Sequence, residues 1–256
     1  MILFIFEGQK REPDIFKTLD YLYFPKGQTI ICSFGNNIYE LYRQLCNMDE
    51  AGDVVSLLIE KERDNPESPF PSGIISSDFS EVYLFFDYDF QNRNLPLEQM
   101  NSQLSEMLDL FDDETDNGKL YINYPMIEAI RYTKRLPDKK FVSYLVSRNA
   151  CHGDGFKALA QEFSEYGSLD FIVLDFRRKQ TKERYMQVKE NWEMLKIQHV
   201  AKANYLCNHQ EGMPIDKDSV SQKRIFQAQL AQFVLPHNEV SIISAIPIFQ
   251  YDYFRH

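Results

Sequence analysis

Short apolar runs alternate with amphipathic segments over the first half of the chain. Ile2–Phe6 is apolar throughout, as expected for a strand buried on both faces, and Thr29–Ser33 has a similar character. Helical spacing of apolar residues follows each run, first from Pro13 to Leu22 and then over residues 38–45. This alternation favours a parallel sheet with helices packed on it.

A proline-rich break precedes the next predicted strand. Residues 65–77 hold three prolines and a glycine, which is typical of a loop. The following elements are predicted from the same patterns: a strand over 82–86, a helix over 97–111, a strand over 119–122 and a helix starting at Pro125. The first of these strands runs directly into Asp87 and Asp89.

Beyond about residue 136 the pattern changes to long polar helices. Helices are predicted over residues 181–208 and 221–234, followed by an apolar run over 240–249. We therefore predict an α/β fold with a mostly parallel sheet over residues 1–135. A mainly helical C-terminal region over residues 136–256 is expected to pack on it.

Composition and charge bear on the location of the protein and on its attraction to nucleic acid. Its four cysteines are dispersed without CxxC spacing, which favours reduced thiols and a cytoplasmic location. No apolar run approaches the roughly 18 residues of a membrane span, so no membrane association is expected. The net charge of −10 opposes general attraction to nucleic acid, so a nucleic-acid enzyme of this composition would need a localised basic surface.

Acidic residues follow two of the predicted strands. Glu7 comes directly after the first strand, and Asp87 ends the strand over 82–86, with Asp89 two residues further on. In a parallel sheet, ligands bind outside the carboxyl ends of the strands. Carboxylates gathered there repel one another unless a cation compensates, and Mg²⁺ prefers oxygen ligands together with substrate phosphate.

These residues carry a resemblance to a known family. Residues 6–16 (FEGQKREPDIF) and 83–89 (YLFFDYD) resemble the Glu-Gly and Asp-x-Asp signatures of TOPRIM domains. Glu12-Pro13 and residues 123–128 (NYPMIE) are similar to the RloB-like and OLD-related TOPRIM proteins of bacterial anti-phage systems, which are often encoded beside an ATPase. The resemblance covers roughly residues 1–135.

The resemblance implies a TOPRIM-like (Rossmann-like) fold and a metal-dependent nuclease. Such an enzyme cuts phosphodiester bonds in DNA or RNA with Mg²⁺ or Mn²⁺, and an ATPase partner protein is implied beside the nucleic acid substrate. Glu7, Asp87 and Asp89 take the catalytic and metal-binding positions of the family, and Glu12 and Glu128 match accessory acidic positions. Assembly of several copies is a further expectation that the sequence leaves open.

Several other residues are candidate substrate contacts. Lys10 and Arg11 depart from the family pattern by placing cations beside the metal loop, where they could grip phosphate. The remaining candidates are Asn123, Arg131 and Lys134, with further cations at Arg135, Lys139 and Lys140 and over residues 177–184. Structural alternatives remain open: Asn123 as a helix cap, Glu128 in a first helical turn, and the charge runs as solvated faces.

Rival functions are also open. A TOPRIM-like subunit without catalysis could serve for docking or regulation in a defence complex with an ATPase. Another doubly wound phosphotransfer enzyme would also place aspartates at strand ends, but no GxxxxGK[ST] loop is present. A zinc site at Cys151-His152 and Cys207-Asn208-His209, together with His199, is disfavoured, because these spacings do not match structural zinc ligands.

Overall fold

A computed structural model describes residues 1–48 and 53–254 of the chain, apart from the side chain of Lys217. These residues form two compact units, which are described in turn. Unit 1 contains residues 1–86 and 95–120, and unit 2 contains residues 87–94 and the chain from Tyr121 onwards. A domain boundary at residues 135/136 stays a prediction.

Unit 1 has the predicted α/β architecture. Its elements, including two strands whose last residues are counted with unit 2, are β1 (Ile2–Phe6), α1 (Arg11–Tyr23), β2 (Thr29–Ser33), α2 (Ile38–Leu45), α3 (Val54–Lys61), β3 (Glu81–Asp87), α4 (Leu97–Leu110), β4 (Asp112–Asp113) and β5 (Gly118–Asn123). The strand order is β2-β1-β3-β5-β4. Strand β1 is parallel to both β2 and β3, whereas β4 is antiparallel to β5. The expectation of an α/β fold with a mostly parallel sheet is thus confirmed.

Aromatic side chains fill the core of unit 1 where α1 packs on β1. The rings of Phe4 and Phe16 lie 4.2 Å apart, and those of Phe6 and Phe85 stack at 4.9 Å. All four side chains are buried. Burial of one such side chain contributes about 1.5–3 kcal/mol, so this cluster fixes the central strands against the helix.

Strand β2 differs from its prediction. It was expected to be buried on both faces, but only Cys32 is buried, because β2 forms an edge of the sheet. Helix α1 also begins earlier than expected, at Arg11, with Pro13 inside its first turn. Proline is tolerated there because the first amides of a helix have no partner within the helix.

Unit 2 is mainly helical. Its further elements are β6 (Leu145–Ser147), α5 (Gly155–Phe163), α6 (Lys182–Asn208), α7 (Gln222–Gln229), α8 (Leu235–His237), β7 (Glu239–Ser241) and α9 (Ala245–Tyr253), with a π-helical turn (Leu230–Val234) between α7 and α8. Strands β6 and β7 form an antiparallel pair. The helices predicted over 181–208 and 221–234 are confirmed, whereas the apolar run over 240–249 divides between β7 and α9.

The prediction of a helix starting at Pro125 is wrong. The chain instead forms a short 3-10 turn over Ile127–Arg131. Tyr124 exchanges two backbone hydrogen bonds with Ile243, of 2.8 and 3.0 Å, and this pairing keeps the chain extended up to Pro125. The competing interaction comes from a distant part of the sequence, so the local pattern could not reveal it.

Buried glutamines hold the backbone of unit 2 in place. Gln222 Oε1 accepts from the Ile122 amide at 3.1 Å. Gln229 bonds both backbone groups of Ser241, donating to its carbonyl at 2.6 Å and accepting from its amide at 2.8 Å. Each side chain thereby satisfies buried backbone groups that β-strand pairing would otherwise have to satisfy.

Candidate active site

Glu7 lies in unit 1 at the carboxyl end of β1. Its amide donates to the Phe85 carbonyl at 3.0 Å, and its carbonyl accepts from the Gly35 amide at 3.0 Å. The backbone at Glu7 is therefore tied on both sides, although β1 has already ended. Gly35 has a φ of +77°, a conformation that glycine adopts without strain. The sheet thus fixes the point from which the half-buried Glu7 side chain departs.

The Glu-Gly pair has a local structural reason. The Gly8 amide donates to Glu12 Oε1 at 3.2 Å, and Glu12 is buried in the first turn of α1. A Cβ atom at position 8 would collide with the Glu12 carboxylate. Glu12 therefore holds the loop that follows Glu7, while Lys10 and Arg11 are exposed on that loop and at the start of α1.

Asp87 lies in unit 2, where Asn123 orients it. Asn123 Nδ2 donates to Asp87 Oδ1 at 3.0 Å. Asn123 Oδ1 accepts from the Ser244 hydroxyl at 3.2 Å and from the Ala245 amide at 2.8 Å. Since Ala245 is the first residue of α9, Asn123 satisfies one of the helix's initial amides. Asn123 was a candidate cap for the helix expected at Pro125, but it caps α9 instead.

Asp89 adopts a sparsely populated backbone conformation. Its φ is +53°, in the left-handed region that residues other than glycine seldom enter. Its Oδ1 atom accepts from Gln91 Nε2 at 2.8 Å. Burial raises the pKa of Asp89 to about 6, against the opposite effects of the Gln91 hydrogen bond and the charge of Lys157. The carboxylate is held in an environment that disfavours its charge.

Arg148 clamps the loop that carries Asp89. Its Nε atom donates to the Phe90 carbonyl at 2.8 Å, and its Nη2 atom donates to the Asn92 carbonyl. The Asn92 amide in turn donates to the Asp89 carbonyl at 2.7 Å. The planar guanidinium thus spans two carbonyls of one loop, which a single ammonium group could not do with the same geometry.

The remaining predicted residues of unit 2 differ in exposure. Glu128 and Arg131 are buried, at 2% and 8% exposed, in the 3-10 turn. Lys134 is exposed, with its Nζ atom 4.4 Å from the centre of the Phe163 ring. Within residues 1–48 and 53–254, no group of three or more His, Cys, Asp or Glu side chains is arranged to hold a metal ion.

Two polar residues, Ser244 and His199, support Asn123 behind Asp87. Ser244 was not predicted from the sequence, and His199 was considered only for the disfavoured zinc site. Ser244 donates its hydroxyl to Asn123, and the Ser244 amide donates to His199 Nδ1 at 3.0 Å. His199 is fully buried, and burial, followed by the charge of Lys202, lowers its pKa well below 6.5. The available signal was the presence of serine within the otherwise apolar run over 240–249.

The fold defines the class: an α/β protein with a mostly parallel sheet and carboxylates at the ends of two parallel strands. No family model, no curated protein and no solved structure matches this chain. Among the described helices, none is both long enough and apolar enough to cross a bilayer.

Proposed function

We propose that this chain is a Mg²⁺- or Mn²⁺-dependent nuclease of the TOPRIM type that cuts phosphodiester bonds in DNA or RNA and acts in anti-phage defence. One observation carries the proposal. Strands β1 and β3 are parallel neighbours, Glu7 directly follows β1, and Asp87 is the last residue of β3. The carboxyl ends of such strands are where α/β proteins bind their ligands.

The proposed ligands suit a hard divalent cation. Glu7, Asp87 and Asp89 are not gathered into a metal-holding group within residues 1–48 and 53–254, but they would offer only carboxylate oxygens, which Mg²⁺ and Mn²⁺ prefer. Asn123 orients Asp87, and burial raises the pKa of Asp89 to about 6. A nearby cation would offset that cost of burying a charge. Glu128 is an accessory ligand in this proposal, and Glu12, also predicted to be one, secures the loop after Glu7.

A divalent ion, when bound, would supply Lewis acidity and neutralise charge on the phosphate. The chain's own residues would position the reacting groups and accept a proton. Asn123 keeps one oxygen of Asp87 in a fixed direction, and the Glu7 carboxylate accepts the proton of the attacking water as its oxygen bonds to phosphorus. The bond from phosphorus to the leaving oxygen breaks in the same step, and the leaving oxygen takes a proton from solvent. Lys10 and Arg11 bind the phosphates that flank the scissile bond.

The test is cleavage by purified protein. Wild type, Asp87→Ala and Asp112→Ala are incubated with plasmid DNA, single-stranded DNA and tRNA, in Mg²⁺, Mn²⁺ or EDTA. Asp112 is an exposed aspartate of β4 and serves as the matched control. We expect wild type and Asp112→Ala to cut with metal and not in EDTA. We expect Asp87→Ala to lose at least about 10²-fold in rate, as when one essential group is removed.

Two results would contradict the proposal. Cleavage by Asp87→Ala at the wild-type rate would remove the metal assignment. No cleavage by wild type, together with calorimetric Mn²⁺ binding that Asp87→Ala leaves unchanged, would contradict the nuclease itself. The rival reading, a catalytically silent docking or regulatory subunit beside an ATPase, would then be preferred.

A further inference from the structure

Four exposed cations lie close together along the chain in unit 2. They are Lys134, Arg135, Lys139 and Lys140, and they define the basic segment. Within the described part of the chain none of them forms an ion pair. Arg177 and Arg178 differ, because both pair with Asp175, at 2.9 and 3.6 Å. In a chain with a net charge of −10, the stretch from Lys134 to Lys140 is a local concentration of positive charge, with four cations against the single carboxylate of Asp138.

Asp138, the acidic residue between the cations of the basic segment, shapes the turn and offsets one of the four positive charges. Its carboxylate accepts from the backbone amides of Lys134 at 2.9 Å and Lys140 at 3.0 Å, and from the Tyr144 hydroxyl at 3.1 Å. These bonds close the turn, so the lysine side chains remain available to solvent. Because the Asp138 carboxylate is bonded to backbone amides, it competes only weakly with a phosphate group for the nearby lysine side chains.

A cavity of about 800 Å³ adjoins the basic segment, and Lys139 is part of its lining. Apolar and aromatic side chains, including Val142, Leu145, Tyr205 and Phe233, also line it. Tyr205 is 46% exposed and Val142 is 42% exposed, so both present open surface. This volume falls within the usual range for small-ligand sites, and exposed aromatic rings are the surfaces on which unpaired bases stack.

The cavity wall is fixed before any ligand arrives. The buried amine of Lys202 donates to the Phe141 carbonyl at 3.1 Å and to the Tyr144 carbonyl at 2.6 Å. These bonds tie α6 to the chain between the basic segment and β6. A wall held by buried hydrogen bonds needs little ordering on binding.

We propose that single-stranded nucleic acid binds here, with its phosphates on the basic segment and one base on Tyr205 in the cavity. The inference rests on the proposed function, since it specifies the class of substrate. Phosphates require uncompensated cations, which the basic segment supplies. The cavity requires a free base face, which a stacked duplex does not offer but a single strand does.

Binding is measured by fluorescence anisotropy of labelled oligo-dT and oligo-U of about 12 nucleotides, in EDTA so that no cleavage occurs. The double variant Lys139→Glu/Lys140→Glu should bind at least about tenfold more weakly and show a shallower salt dependence. Arg177→Glu/Arg178→Glu is the matched control, because it changes the net charge equally at cations that are already paired. Its affinity should stay within about twofold of wild type.

The base contact has its own variants. Tyr205→Ala should weaken binding about tenfold, whereas Tyr205→Phe should keep it, because stacking needs the ring and not the hydroxyl. Glu211, an exposed acid of the cavity lining, should oppose the strand, so Glu211→Gln should tighten binding about twofold. Thermal unfolding of each variant checks that the fold is retained.

Equal binding of duplex and single strand, or equal losses in the two double variants, would overturn the inference. The outcomes also separate it from the nuclease proposal. Single-strand binding that depends on Lys139, Lys140 and Tyr205, without cleavage in Mg²⁺ or Mn²⁺, would support the inferred binding surface and count against the nuclease. Metal-dependent cleavage by wild type, with nucleic-acid binding that is unchanged in the Lys139/Lys140 and Tyr205 variants, would support the nuclease and contradict the inferred binding surface.

Discussion

The carboxamide of Asn123 joins Asp87 to the start of α9. Its nitrogen donates to Asp87 Oδ1 at 3.0 Å, and its oxygen accepts from the Ala245 amide at 2.8 Å. The two contacts fix which end of the carboxamide faces the carboxylate, because only the nitrogen can donate. Asp87 is thereby presented with one oxygen in a defined direction.

Replacement of Asn123 by alanine tests this arrangement. Asn123→Ala removes one hydrogen-bond partner each from Asp87, Ser244 and Ala245, and we expect the free energy of unfolding to fall by about 2–4 kcal/mol. Urea denaturation measures the loss. Asn94→Ala, at an exposed position, is the control and should change the stability by less than about 0.5 kcal/mol. Equal stability of the two variants would mean that the network contributes nothing.

A methyl group at Gly8 should disturb the Glu12 contact. Gly8→Ala moves the buried Glu12 carboxylate away from the Gly8 amide, so we expect the loss of this hydrogen bond to cost about 1 kcal/mol in urea denaturation. Gly167→Ala is the control, because a Cβ atom there meets open space. In a Glu12→Ala background the cost of Gly8→Ala should shrink; an undiminished cost would place its origin elsewhere.

His199 should make stability depend on pH. Its pKa lies well below 6.5 in the folded protein, mainly because of burial, whereas an unfolded chain titrates near 6.5. Below that pH the unfolded state takes up a proton that the folded state does not. Stability therefore falls as the pH drops, by up to about 1.4 kcal/mol per pH unit.

The variant His199→Asn keeps an acceptor for the Ser244 amide but does not titrate. Urea denaturation at about pH 7.5 and about pH 5.5 should show a smaller acid-induced loss than in wild type, by about 1 kcal/mol. His152→Asn, at an exposed histidine, should behave like wild type. An identical pH dependence in all three proteins would contradict the assignment.

The Arg148 clamp should limit opening of the loop over residues 87–94. Arg148→Lys keeps the charge but cannot bond the Phe90 and Asn92 carbonyls with the same fork. We expect about tenfold faster hydrogen exchange at loop amides, including that of Asn92. Arg93→Lys, at an exposed arginine of the same loop, is the control. Unchanged exchange in Arg148→Lys would show that the loop is held by other contacts.

The inner strands and helices of unit 1 could be predicted from the sequence because each depends on a pattern of apolar residues within one short segment. The inner strand β1 is apolar on both faces, and α1 and α2 have helical spacing of their apolar residues over two turns or more. The pair β6-β7 was missed, because three-residue strands carry too little periodicity to register. The incomplete burial of β2 follows from its place at the edge of the sheet, and the strand order cannot be inferred from one segment of sequence.

The candidate site divides in the same way. Glu7 and Asp87 were predicted because a carboxylate after an apolar strand is visible in a few consecutive residues. The partners behind Asp87 were not, since Ser244 lies 121 residues from Asn123 and 45 residues from His199. Burial of Arg131, which was expected to contact substrate, likewise follows from packing that the charge pattern does not reveal.

The bonds between Gln229 and Ser241 have a consequence for sequence variation. Ser241 takes part through its backbone alone, whereas Gln229 must supply a donor and an acceptor at the end of a two-methylene arm. Other small residues would serve equally at position 241, but asparagine would be too short at position 229 and glutamate would lack the donor. In a saturation library selected for folding, several small residues should be recovered at position 241, whereas only glutamine should be recovered at position 229.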